Sequence, residues 1–151
     1  MKSFYLCRHS MLDRNDLFEI STNVDNFHNV MPNYFKSMDV IEDNTSEKIV
    51  LEKISFLGKT LDVKTKHIVL PPNLHGVFIL SGPLSGTSFI ENYESDDMGT
   101  KIIIQVSLQI NGFLKFVPLI EKLISKKMNN VMNEFIISAE SFSQRHLFYK
   151  S

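Results

Sequence analysis

Residues 114–149 constrain this chain more than any other stretch, because apolar side chains return there at helical intervals: Phe116, Ile120, Leu123, Ile124, Met128, Val131, Met132, Phe135, Ala139 and Phe142. Lys122, Ser125, Lys126, Asn129, Asn130, Asn133, Glu134 and Ser141 fall on the other side. One long helix with an apolar and a wet face is expected. Pro118 sits near its start, where a missing N–H costs little, and residues 118–148 would span roughly 45 Å at about 1.5 Å per residue. Such a stripe cannot bury itself, so the rest of the chain must supply an apolar surface of similar width. Met128 and Met132 beside Phe135 and Phe142 suit an ordinary core, and equally an irregular or adaptable contact.

The upstream residues read as that surface. Residues 3–11 alternate Phe4, Leu6 and Arg8 against Tyr5, Cys7 and His9, a strand in which Cys7 is expected as a small buried filler. Asp13 can cap a short helix carrying Leu17, Phe18 and Ile20. Asn23 or Asp25 can open a second, with Val24, Phe27, Val30 and Met31, which Pro32 should stop because the residue before proline avoids helical angles. Residues 34–42 then form a strand, Phe35, Ser37, Asp39 and Ile41 opposing Tyr34, Lys36, Met38 and Val40.

Further strands are expected at 47–56, 60–70, 74–80, 87–94 and 100–110. Turn residues separate them: Glu42-Asp-Asn-Thr, the tight Leu57-Gly58 pair, Pro71-Pro72-Asn73, then Gly82, Pro83 and Gly86, and Ser95-Asp-Asp-Met-Gly. Leu61, Val63, Thr65, His67 and Val69 share one face of their strand, and Phe89, Glu91 and Tyr93 one face of theirs. Residues 74–80 are apolar enough to be covered on both sides. Ile102, Ile104, Val106, Leu108 and Ile110 alternate with Lys101, Gln105, Ser107 and Gln109 in the last strand, apart from Ile103.

At 151 residues the chain is expected to be one domain, 1–151. The fold class that follows is α+β: a curved seven-stranded antiparallel sheet gripping the long C-terminal helix, with two short helices between strands 1 and 2. One long and two short helices cannot fill a strongly curved sheet, so an internal cavity is expected.

A net charge of -1 argues against a nucleic-acid partner, and Lys122, Lys126 and Lys127 read as a solvated helix face. The lone Cys7 excludes an intramolecular disulfide and a thiolate-rich zinc site, and fits a reducing cytoplasm. Arg8 and His9 interrupt the N-terminal apolar run, so no signal peptide is read, and no stretch approaches the ~20 apolar residues of a membrane span. His9, His28, His67, His75 and His146 form no HExxH pattern, and no metal or other cofactor is expected. The glycine-rich run from Ser81 to Gly86 lacks GK[ST], no GxSxG elbow occurs, and Cys7 has no evident base.

Two polar residues share faces with apolar neighbours: His67 with Leu61, Val63 and Val69, and Glu91 with Phe89 and Tyr93. Turned inward, Glu91 would sit in an apolar chamber with a raised pKa and could serve as a proton donor or as a hydrogen-bond partner. A register shifted by one residue would turn it to solvent, and His67 near a strand end would reach water.

The order of elements, with Asn23-Val-Asp-Asn-Phe, Met31-Pro32-Asn33-Tyr34, Val40-Ile41-Glu42 and the Gly99-Thr100 pair opening the last strand, resembles the START-like helix-grip superfamily. That superfamily includes birch-pollen-allergen-like proteins, polyketide cyclases and coenzyme Q-binding proteins. The likeness covers nearly the whole chain. It departs in lacking the Trp often found on the penultimate strand, where Phe89, Glu91 and Tyr93 occupy the corresponding face.

The resemblance implies binding or transport of a small hydrophobic molecule, such as a lipid, isoprenoid quinone or polyketide, with transient contact to a membrane surface compatible with that role. Phe27, Met31 and Phe35 are then expected in the ligand site, with Val63, Thr65 and His67, with Phe89, Glu91 and Tyr93, and with Ile104 and Val106. Met128, Met132 and Phe135 close it from the long helix. Two other readings stay open: a cyclase- or dehydratase-like enzyme using Glu91 and His67, and a noncatalytic interaction or chaperone-partner module. Fold does not choose among them, and oligomeric state has no signature here.

Overall fold

A computed structural model describes residues 2–56 and 58–150, the last five as helix backbone. Strand β1 (Lys2–Ser10) leads into helices α1 (Arg14–Thr22) and α2 (Phe27–Val30). Strands β2 (Phe35–Asn44), β3 (Glu47–Phe56), β4 (Lys59–Leu70), β5 (Leu74–Ile79), β6 (Ser88–Asp96) and β7 (Gly99–Leu108) follow, then the long helix α3 (Ile120–Lys150). The strands form one antiparallel sheet in the order β1-β7-β6-β5-β4-β3-β2. The expected α+β architecture is therefore the observed one. Of the Leu57-Gly58 hairpin, Leu57 lies outside the described residues; Gly58 has φ +80°, as a tight turn requires. His146, and Phe148 and Tyr149 in the expected helical stretch, have side chains outside them too.

Local chemistry accounts for most boundaries. Asp13 caps α1 by accepting from Asn15 N–H at 3.0 Å. α2 is a single turn that begins after Asn26, later than Asn23 or Asp25, and ends at Met31 before Pro32. Several strands extend beyond the expected turns: β2 continues to Asn44 and β6 to Asp96, since each pairs with a neighbour to its end.

α3 starts at Ile120, and residues 112–116 form a separate 3-10 turn. Leu119 precedes the helix in a left-handed conformation with φ +57°, and Pro118 stands outside the helix. That break takes Phe116 off the apolar stripe, leaving it 86% exposed. The stripe seats α3 at two places. Ile120 and Ile124 pack with Leu108, Leu114 and Ile79, while Phe135 and Ala139 pack with Leu6, Phe18, Ile102 and Ile104. Arg8 pins the helix between them, donating through Nε to Asn133 Oδ1 and through Nη2 to Asn129 Oδ1, each at 2.8 Å. Asn129 and Asn133, expected simply in water, are thus structural partners of β1.

Further corrections follow from the sheet. Cys7 is exposed, because the inward residues of β1 are Phe4, Leu6 and Arg8 and Cys7 falls between them. β5 is not sandwiched as its apolar run suggested: Leu80 just past it is exposed, and Phe78 is only half-buried, folded over Gly76. In β2 a register shift between Phe35 and Ser37 breaks strict alternation. Phe35 and Met38, expected on opposite faces, both turn inward there.

Gly99 has φ +136°, and a Cβ on it would collide with the Ser10 carbonyl oxygen and lie 2.9 Å from Met11 Cα. Thr100 beside it donates to Leu12 O at 2.8 Å, tying the corner between β1 and α1 to the start of β7. Gly99→Ala is expected to destabilise the fold by about 1–3 kcal/mol through forced backbone strain, read as a lower urea midpoint. An unchanged midpoint would show that this corner yields freely.

Candidate functional site

Between the two places where α3 is seated, the curved sheet and the helix stand apart around a cavity of about 230 Å³. Its apolar wall is built from α2 and the turn after it (Phe27, Met31, Tyr34), from strands (Phe35, Val63, Phe89, Ile104) and from α3 (Met128, Met132, Phe135). Phe27 is the hub of the aromatic part, its ring centroid 5.0 Å from that of Phe35 and 5.9 Å from that of Phe135. Of the residues expected at the site, Val106 alone stays out of the wall; it is fully buried in the core among Leu6, Ile102 and Ile104.

One polar seam crosses this wall. It runs over four adjacent strands, β3 to β6, and ends on α1. Glu52 accepts a hydrogen bond from Thr65 Oγ1, and its Oε2 lies 3.0 Å from His67 Nε2. His67 Nδ1 lies 2.9 Å from His75 Nε2, with the two rings stacked at 5.2 Å between centroids. His75 Nδ1 in turn lies 2.9 Å from Glu91 Oε1. Tyr93 O–H also reaches Glu91 Oε1 at 2.7 Å and is 2.7 Å from Ser21 Oγ. The Tyr93 ring is held edge-on by Phe18 at 5.2 Å.

Register explains how these residues meet. His75 stands directly opposite Glu91 across β5 and β6. His67 pairs with Val77 and His75 with Val69, so the two histidines face each other diagonally on the inward side. Glu52, His67 and His75 are each 5% exposed or less, so each needs an internal partner, and each has one.

His67 and Glu91 both face inward, but they do not touch; His75 stands between them. His75, Glu52 and Ser21 were not expected at the site. The signal for Glu52 was present in β3, where it shares a face with Val50 and Ile54, and His75 shares one with Val77 and Ile79 in β5. Reading 74–80 as covered on both faces hid the side to which His75 points.

The expected raised pKa of Glu91 is reversed. Burial pushes its carboxyl up, but the neighbouring His75 imidazole, with hydrogen bonds from His75 and Tyr93, brings it below the usual glutamate value. Glu91 is therefore an ionised acceptor at neutral pH and not the proton donor. Burial first, and then the Glu91 charge, push the Tyr93 phenol well above its usual value, so it stays a neutral donor. Among the described residues no group of three His, Cys, Asp or Glu is placed to hold a metal ion, and no helix is long and apolar enough to cross a membrane.

No family model matches the sequence, and no curated protein matches it in sequence. Solved structures do resemble it. Ara h 8.0201 superposes with a TM-score of 0.72 at 20% identity, over 93% of this chain and 96% of that one. The Zhui aromatase/cyclase from Streptomyces sp. R1128 gives 0.80 at 10% identity, over 92% of this chain and 93% of that one. A START superfamily protein from Mycobacterium smegmatis gives 0.78 at 9% identity, over 93% and 98%. At these identities the likeness speaks to the fold, which is the START-like helix-grip fold.

Proposed function

From the helix-grip fold as premise, we propose that this protein binds a small, largely apolar molecule in the cavity beneath α3. The observation that carries this reading is the cavity itself: an apolar chamber of about 230 Å³, roofed by a helix that is seated on either side of it. Small-molecule sites commonly enclose roughly 300–1,000 Å³, so this one suits a compact guest of one or two rings. A long acyl chain or an isoprenoid tail would need α2 and α3 to move apart. The lone Cys7 supports placing the protein in the reducing cytoplasm.

The test is extraction and mass spectrometry of whatever copurifies, combined with amide exchange on adding a compact apolar compound. Exchange is expected to slow at residues 27–31, since Phe27 and Met31 face the guest and their single-turn helix opens at low cost. No copurifying molecule and unchanged exchange across the whole wall would overturn the reading.

One observation favours acid–base catalysis as a second reading: the bonded His67–His75 pair between two carboxylates. In that case the pair, and not Glu91, holds the transferable proton. Turnover of a carbonyl substrate abolished in His67→Gln while binding survives would establish it.

A further inference from the structure

The polar seam has a countable number of protons. Glu52–His67, His67–His75 and His75–Glu91 are three hydrogen bonds in series, at 3.0, 2.9 and 2.9 Å. Every atom in them is a carboxylate oxygen or an imidazole nitrogen, so each bond needs one proton between its two atoms. Two neutral imidazoles and two ionised carboxylates hold only two protons. One bond would then set lone pair against lone pair. Four protons would set N–H against N–H. The series is satisfied by three, which leaves the four groups together with a net charge of -1, whether the third proton rests on either ring or on Glu52.

The donors of the seam are also committed. Tyr93 O–H goes to Glu91, Thr65 O–H to Glu52, and Ser21 O–H to the Tyr93 oxygen at 2.7 Å. Glu52 Oε1 and Glu91 Oε2 accept no hydrogen bond among the described residues, and both side chains line the cavity. The seam thus offers a guest acceptors and no free donor. The other polar groups of the wall form a second set: Tyr34, Ser55, whose N–H donates to Tyr34 O at 2.8 Å, and Lys127, whose Nζ sits 4.7 Å over the Tyr34 ring.

We infer that the Glu52–His67–His75–Glu91 seam selects a neutral guest that brings its own hydrogen-bond donor, a ring-bearing alcohol or phenol, and turns away carboxylates and pure acceptors such as quinones and esters. This rests on the cavity being a binding site. Against the seam a carboxylate would meet net negative charge and a carbonyl would meet only other acceptors, so the donors left to either are Tyr34, Ser55 and Lys127, outside the seam. A hydroxyl donates to a free carboxylate oxygen in a charge-assisted bond.

Four probes of one shape test it by calorimetry at pH 7: 2-naphthol, its methyl ether, naphthalene and 2-naphthoate. The expected result is 2-naphthol binding about tenfold or more tighter than the ether and naphthalene, with 2-naphthoate weakest. Glu52→Gln and Glu91→Gln each exchange a free acceptor for an amide that donates and remove one negative charge; both should narrow the ratio of naphthol to naphthoate. Ether or naphthoate binding as tightly as naphthol overturns the inference and leaves the cavity reading intact. Failure of all four to bind overturns both.

Discussion

Phe135→Ala is expected to lower stability by about 3–5 kcal/mol, whereas Lys126→Ala, on the exposed side of the same helix, should stay within about 0.5 kcal/mol. Phe135 is only 5% exposed, packs with Leu6 and Ala139, and lies 5.9 Å ring to ring from Phe27. It also borders the cavity, so truncation joins its vacated volume to a space already present. Neighbours that have not closed the existing cavity will not close a larger one, which places the loss toward the upper part of the range. Urea unfolding of the two variants decides it. Similar midpoints would mean that α3 is not held through this residue.

His75→Leu should cost a similar amount, about 3–5 kcal/mol, for a different reason. Removing one member of a buried hydrogen-bonded pair leaves the other unsatisfied in a place water does not reach. Here both Glu91 and His67 lose a partner at once. The deficit should depend on pH in a stated direction. In the wild type the carboxyl of Glu91 is held below its unfolded value of 4.5, so its contribution is present above that value and is lost as pH falls through the folded value. In the variant the stabilising imidazole is gone and burial remains, which favours the protonated acid. The gap between the two proteins should therefore shrink between pH 7 and pH 5, as the variant's Glu91 takes up a proton that the wild type's does not. A gap of constant size across that range would sink the assignment of His75 as the group that keeps Glu91 ionised. Leu is chosen because it fills much of the vacated space, so that the lost hydrogen bonds and not an empty volume dominate the result.

The two residues illustrate unequal legibility. Phe135 announces itself by recurring at helical spacing with Met128, Val131, Met132 and Ala139, and periodicity survives any error of a residue or two at the helix ends. The same spacing over-extended the helix, since Phe116 fits the pattern yet stands beyond the break at Pro118 and Leu119. His75 sits in Leu-His-Gly-Val-Phe-Ile, where apolar residues on both sides of the strand weaken the alternation that would assign it a face. Glu52 had clear alternation and was legible in principle. His67 and Glu91 were legible as inward-facing, but not as members of one series.

By itself the sequence determined the kinds of element, their order and which face of most strands is apolar, because those follow from local periodicity, caps and turn residues. From them came the curved sheet, the gripping helix and the expectation of a space between. What only the tertiary structure decided is which polar residues touch. The Glu52–His67–His75–Glu91 contacts join four different strands, and each depends on a pairing register that no single strand encodes. The charge on Glu91 was decided there too. Burial alone would raise its pKa, and only the placement of His75 directly across from it reverses the sign.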